Sequence, residues 1–348
     1  MPSIIAVESA LPPFRYEIDG VAAAGARWLQ SSPEAAKLFE RFLRSSETGS
    51  RNFSFDLREV LELKGLKKRG ELFEEFAPIL GAQALSAALQ QARLPATAVA
   101  SLVFTSCSCP SIPSVDALVV ERVGLSRSVG RLPVYQHGCA GGVIGLELAC
   151  DLAKTRGVVA CTAVELCSLV FQPQNNRPAQ LVGSAIFADG AAAAIVSPDE
   201  RGLVYLDHQS SLLPNTRHLM GYDIFDDGFH LRLDRDLPQA LADVTPGLVG
   251  EFLGRHGLES TDVHYWLFHP GGVKILDFLE RSFGLHGDQS RWSREVLRTV
   301  GNLSSATILF VLKAFLESKV AVPGDKVLMM GIGPGLTIEL ILFEWVPR

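Results

Sequence analysis

The sequence lacks an excess of positive charge. Its 32 Lys and Arg are outnumbered by 38 Asp and Glu, giving a net charge of −6, so nothing points to a nucleic-acid partner. It has no apolar run long enough to span a bilayer. Met1 to Ala10 shows neither the basic start nor the long apolar stretch of a signal peptide. A spaced disulfide framework is missing too, because Cys107, Cys109, Cys139, Cys150, Cys161 and Cys167 cluster in one part of the chain. A cytosolic, reduced protein is the simplest reading. Cys107-x-Cys109 has no second pair of ligands beside it, so no metal site is expected. A Pro/Ser-rich linker is also absent, which argues for one compact body.

What is present is a rich supply of core. Of 348 residues, 47% are hydrophobic and 20% charged. That suits one large domain or two fused halves, with apolar surface to spare for an oligomer interface.

The organising stretch is Val134 to Leu146, VYQHGCAGGVIGL. Arg131 to Gln136 reads as a short strand. Gly138, Gly141 and Gly142 permit a tight turn, and a helical pattern follows from Val143. Cys139 therefore falls at or just before a helix N-terminus. Unpaired N–H groups and the helix dipole there favour an anion, which lowers a thiol pKa. A buried structural cysteine is the competing reading of this stretch taken alone.

Elsewhere, Pro2 to Glu8 reads as a first strand and residues 18–44 as helices. Ser45 to Phe53 reads as a polar loop. Leu63 to Arg69 is a basic run, either a solvated helix end or an anion site. Glu71 to Arg93 and Pro113 to Val123 read as helices, Ala100 to Thr105 and Gly157 to Leu166 as buried strands. In the second half, Leu203 to Gln209, Phe229 to Leu233 and Tyr265 to Phe268 read as strands. Pro238 to His256, Val273 to Phe283 and Arg291 to Val300 read as helices. Lys326 to Met330 and Thr337 to Trp345 form a hairpin around Gly331-Ile332-Gly333-Pro334-Gly335.

The halves echo each other. Gly138-Cys139 opens a buried helix in one and Gly301-Asn302 opens a helix in the other, and each half closes with two strands. An internally duplicated α/β unit is expected, divided at residues 1–205 and 206–348. Such symmetry brings the two helix openings to a shared centre. Cys139, His269 and Asn302 each sit beside glycine at a strand end or helix start. A nucleophilic cysteine and its histidine need only meet in space. His and Asn together can stabilise an oxyanion. No Asp or Glu flanks them in sequence, which suits thioester chemistry better than hydrolysis.

Gln136-His137-Gly138-Cys139, His269-Pro270-Gly271-Gly272, Gly301-Asn302-Leu303-Ser304-Ser305-Ala306 and Gly331 to Glu339 resemble, in order and spacing, the type III polyketide synthases of the chalcone synthase family. The likeness runs from about Phe39 to Phe343. It implies an α/β fold of the thiolase-like αβαβα layered type, a homodimer, and acyl-CoA and malonyl-CoA as substrates with no other cofactor. By that resemblance, Cys139 carries the acyl chain, while His269 and Asn302 hold the malonyl thioester carbonyl as CO2 leaves. Phe187 and Phe229 match the gatekeeper phenylalanines. Arg41 matches a CoA-contacting position, whereas Leu38 and Ser45 replace neighbouring lysines. Lys274, Gly271 and Gly272, or Lys67 and Lys68, are the other candidates near the CoA phosphates.

Ser106, Cys107, Cys109, Cys167, Val170, Met220, Gly221, Ser304, Gly333 and Pro334 fall at pocket positions. The apolar ones suggest a cavity for an aliphatic starter, as in bacterial alkylpyrone or alkylresorcinol synthases. Two alternatives stand beside this reading. One is a ketoacyl synthase III-like enzyme making a single condensation. The other is a silent acyl-CoA-binding homologue, which need not keep all three of Cys139, His269 and Asn302.

Overall fold

The computed structural model describes residues 1–347. The chain opens with β1 (Ser3–Ala10), followed by β2 (Phe14–Glu17), α1 (Ile18–Trp28), α2 (Pro33–Ser45) and β3 (Ser50–Phe53). Next come α3 (Leu57–Glu62), α4 (Leu66–Ala92), β4 (Ser101–Ser106), α5 (Asp116–Val123) and β5 (Gly130–Tyr135). The first half ends with α6 (Gly141–Arg156), β6 (Val159–Leu166), α7 (Pro178–Ile186) and β7 (Asp189–Ser197). The second half begins with β8 (Gly202–Leu212), β9 (Met220–Phe225), β10 (Gly228–Leu233), α8 (Leu237–Gly254) and β11 (Val263–Phe268). It continues through α9 (Val273–Ser282), α10 (Arg291–Val300), α11 (Thr307–Ser318), β12 (Lys326–Gly333) and β13 (Thr337–Val346).

The strand order is β11-β12-β13-β8-β1-β7-β6-β4-β5. Read outwards from the centre, each half repeats one pattern. β1 pairs antiparallel with β7, β7 antiparallel with β6, and β6 parallel with β4. β8 pairs antiparallel with β13, β13 antiparallel with β12, and β12 parallel with β11. The duplication expected from the sequence is thus visible in strand direction as well as order. The halves meet where Ser3 and Ile4 of β1 pair with Val204 and Leu203 of β8.

Five layers are held together by three large cores, the central one serving both inner interfaces. α6 and α11 are sandwiched between the inner faces of both half-sheets, with Val103, Ala163, Ala194, Met329 and Ile341 against them. The outer face of the first half-sheet packs on α4 and α5 through Leu102, Phe104, Val164 and Ile195. The outer face of the second packs on α8 and α9 through Trp266, Phe268, Leu328 and Leu340. Because both faces of these strands are covered, they read as continuous apolar runs. Gly142 lets the two central elements touch. A Cβ there would lie 2.1 Å from the Ser305 carbonyl oxygen.

Two expectations need correction. Residues 45–53 do not form a polar loop throughout. Ser50–Phe53 is a fully buried strand paired with β2. Arg51 and Asn52 made it look solvated, but their polar atoms reach backbone carbonyls inside the protein. The long helix starts at Leu66 rather than Glu71 and so takes in part of the basic run. Lys67 and Lys68 stay exposed, while Arg69 turns inward to the carbonyls of Leu169 and Leu63.

Candidate active site

The two helix openings do converge. Gly138–Ala140 forms a single 3-10 turn ahead of α6, and Ser304–Ala306 forms another ahead of α11. The turns lie against each other, and the Cys139 Sγ sits 3.7 Å from the Ser304 Oγ. The β12–β13 hairpin backs the first turn. Gly138 has φ of 54°, and a Cβ there would stand 2.6 Å from the Pro334 ring. Gly333 backs onto Ala140 and the His137 carbonyl. Gly333 and Pro334 thus buttress the turn that carries Cys139.

Asn302 is held by its backbone and by its carbonyl oxygen. Its N–H donates to the Ile186 carbonyl, and its own carbonyl accepts from Ala188 N–H, which clamps the Phe187 turn beside it. Its Oδ1 accepts from the Ser304 N–H at 2.8 Å and the Thr307 hydroxyl at 3.3 Å. The Nδ2 amino group is left as the donor end, and the amide lies close enough to the Cys139 thiol to favour its thiolate. His269 follows β11, and its N–H donates to the Met330 carbonyl. The neighbouring Gly331 packs directly on Ala140 and Val143. The His269 ring is buried, and neither Nδ1 nor Nε2 has a hydrogen-bond partner.

The electrostatics differ from the sequence expectation. Burial pushes the Cys139 thiol up to about 12, opposed by Ser304 and Asn302. Burial also holds His269 down to about 3. Desolvation outweighs the helix-start effect at the thiol, and the nearby Glu165 carboxyl raises it further.

Beneath Cys139 lies a carboxylate that sequence reasoning missed. Glu165 is fully buried at the end of β6. It accepts from the Cys107 N–H at 3.1 Å, the Ser106 hydroxyl at 3.4 Å, and the Ser108 and Ser305 hydroxyls. Burial raises its pKa, and these donors oppose the rise. A lone acid within the apolar run Gly157 to Leu166 was the available signal. Asp189 plays a similar part behind Phe187, accepting from Ser54 N–H, Ser168 N–H and the Ser168 hydroxyl.

The pocket candidates divide. Cys107 Sγ lies 3.2 Å from Ser304 Oγ, so Ser304 stands between two thiols. Cys167, Val170 and Phe187 line a mainly apolar cavity of about 80 Å³, walled further by Trp28, Phe39 and Tyr222. Tyr222 stacks on Phe229 at 5.7 Å and was not singled out from the sequence, where it sits in a polar stretch of β9. Cys109 packs instead in the outer core of the first half, and Met220 against that of the second. Gly221 faces Arg232. Arg41 and Lys274 are exposed on α2 and in the first turn of α9, after Gly271 and Gly272. Among the described residues no helix is long and apolar enough to cross a membrane.

Family models for chalcone and stilbene synthases match both halves, the N-terminal domain over residues 57–200 and the C-terminal domain over residues 205–347. The chain is 31% identical to a 1,3,6,8-tetrahydroxynaphthalene synthase of Streptomyces peucetius subsp. caesius, over 99% of this chain and 93% of that protein. It is 30% identical to a phloroglucinol synthase of Pseudomonas fluorescens, over 88% and 89%. Its fold superimposes on the bacterial type III polyketide synthase 1,3,6,8-tetrahydroxynaphthalene synthase from Streptomyces coelicolor A3(2) with a TM-score of 0.94. That match has 27% identity and covers 99% of this chain and 100% of that one. With duplicated halves, converging helix starts and matches along nearly its whole length, the chain belongs to the chalcone and stilbene synthase family of type III polyketide synthases.

Proposed function

We propose that the protein loads an acyl-CoA starter on Cys139 and extends it with malonyl-CoA by decarboxylative Claisen condensation. Cyclisation then gives a pyrone or resorcinol-type product. The observation that carries this reading is a buried imidazole with both ring nitrogens unpartnered. The Asn302 oxygen is occupied by Ser304 and Thr307, so its amino group points its N–H bonds elsewhere. The His269 ring is buried, neutral and unpartnered. Such a buried, unpaired group in a native fold calls for an explanation, and a substrate oxygen supplies one.

In the first step the neutral His269 takes the Cys139 proton as sulfur attacks the acyl-CoA carbonyl and CoA leaves as its thiol. Malonyl-CoA then enters with its thioester oxygen facing His269 and Asn302. As CO2 departs, charge develops on that oxygen, where fixed donors in a dry site are most effective. The enolate carbon attacks the acyl-Cys139 carbonyl and expels the thiolate, leaving a CoA thioester longer by two carbons. Return of this chain to Cys139 begins another cycle.

Phe187 and Phe229 offer an apolar wall that keeps water from the carbanion. The cavity beyond Phe187 receives an aliphatic starter, with Cys167 and Val170 at its wall. Arg41, Lys274, Gly271 and Gly272 form the CoA end of the site. The enzyme acts as a homodimer in the reducing cytosol, where its six free thiols persist. The test is incubation with malonyl-CoA and a panel of acyl-CoAs, read by mass spectrometry. Several extensions per starter support the proposal. A single extension would mark a ketoacyl synthase III-like enzyme, and none a silent homologue.

A further inference from the structure

The cavity beside Phe187 is not wholly apolar. Arg51 of β3 lines it, with its guanidinium over the Phe53 ring at 5.6 Å. Arg51 is only 2% exposed. Its stem packs on Gly301, next to Asn302. Nη1 donates to the Ser184 carbonyl at 2.7 Å and the Phe187 carbonyl at 3.0 Å, which explains half of the fork. Nη2 has no partner, although it is buried. Among the described residues no carboxylate answers the charge, and burial lowers the guanidinium pKa to about 9. A buried cation with an unused N–H is costly to keep, and an anion that pairs with it regains that cost. The other polar side chains at the wall, Ser168, Ser184, Gln180, Trp28 and Tyr222, are neutral. Ser184 and Gln180 already bond to each other, and the Ser168 hydroxyl is spent on Asp189.

We propose that Arg51 Nη2 is the recognition point for a carboxylate at the far end of the acyl starter, so that the cavity takes short dicarboxylic half-thioesters. This deepens the reading above and rests on it, since the near end of the same chain is the thioester carbonyl attacked by Cys139. The methylenes between lie along Cys167, Val170 and Phe187, and the carboxylate ends at the guanidinium. Loading is an ordinary exchange: the Cys139 sulfur forms the new thioester, the CoA sulfur leaves with the proton, and the far carboxylate is unchanged.

The experiment is competition between glutaryl-CoA and valeryl-CoA, equal in carbon count, with acyl-Cys139 measured by intact-protein mass. Wild type should load glutaryl at least about ten-fold faster, the order of one charge-assisted hydrogen bond. Arg51→Met should remove or reverse that preference, and Arg51→Lys, which keeps the charge without the fork, should retain part of it. Because Arg51 also ties down Ser184 and Phe187, a variant that fails to fold is replaced by a crystal structure of the glutaryl-loaded wild type. That structure should place the carboxylate within hydrogen-bonding distance of Nη2. Equal or faster loading of valeryl by wild type overturns the proposal, as does a preference that survives in Arg51→Met or a carboxylate seated away from Nη2. Failure of both thioesters to label Cys139 would instead overturn the condensing-enzyme reading itself.

Discussion

Two buried groups of the candidate site are treated in opposite ways. Glu165, beneath Cys139, collects donors from Ser106, Cys107, Ser108 and Ser305. His269, which follows β11, collects none. The first arrangement fixes a shape, because a saturated carboxylate has nothing left to offer a substrate. The second leaves capacity in place, because an unpartnered imidazole in a dry site gains by meeting a polar ligand. Satisfaction of hydrogen bonds therefore separates the floor of the site from its working face. Asn302 belongs to both, with its oxygen tied to the floor and its amino group turned to the face.

The largest effect expected on the working face is at the thiol. Cys139→Ala should abolish acyl-enzyme formation and every later extension, as read by intact-protein mass. An adduct that persists in this variant, or maps to Cys107 or Cys167, would move the nucleophile elsewhere.

The floor should respond in stability before chemistry. Glu165→Gln keeps the shape but turns an amino group toward several donors. A loss of about 1–3 kcal/mol is expected from such mismatched buried groups, measured by denaturant unfolding, with residual acyl loading in the folded fraction. An unchanged stability with extension abolished would place Glu165 on the working face.

The pH response sharpens the contrast further. With the thiol held near 12 and His269 near 3, the fraction of thiolate rises throughout the neutral range. Alkylation of Cys139 by iodoacetamide should accelerate close to ten-fold per pH unit from 6 to 9, with no plateau. A plateau below pH 7 would reveal a pre-formed thiolate–imidazolium pair. The smallest effect expected is on starter length. Each methylene that finds the apolar wall contributes about 0.8 kcal/mol, so Cys167→Phe should shorten the preferred acyl chain in a mixed-starter competition. An unchanged profile would exclude Cys167 from the tail path.

Much of this was legible in the sequence because backbone demands leave marks. Gly138, Gly142 and Gly301 announce tight turns, and the continuous apolar runs announce a sheet covered on both faces. Partner choice inside the protein left weaker marks. Arg51 and Asn52 looked like loop residues because their buried carbonyl partners come from distant segments. Glu165 looked like a stray charge in a strand until its serines appeared around it. Cys109 and Met220 carry the right chemistry for an acyl pocket, but their places on the elements turn them into outer cores. The thiol follows the same rule, since the helix start is visible in sequence while the depth of burial is not.

The central claim is that Asn302 and His269 serve the malonyl carbonyl, and Asn302 isolates it most cleanly. In Asn302→Ala, malonyl-CoA decarboxylation and starter loading would be measured on the same preparation. Loss of one oxyanion donor costs roughly 2.7–4 kcal/mol, about two to three decades in rate. That loss is expected in decarboxylation, with a smaller loss in loading of Cys139. Equal losses in both steps would contradict the claim.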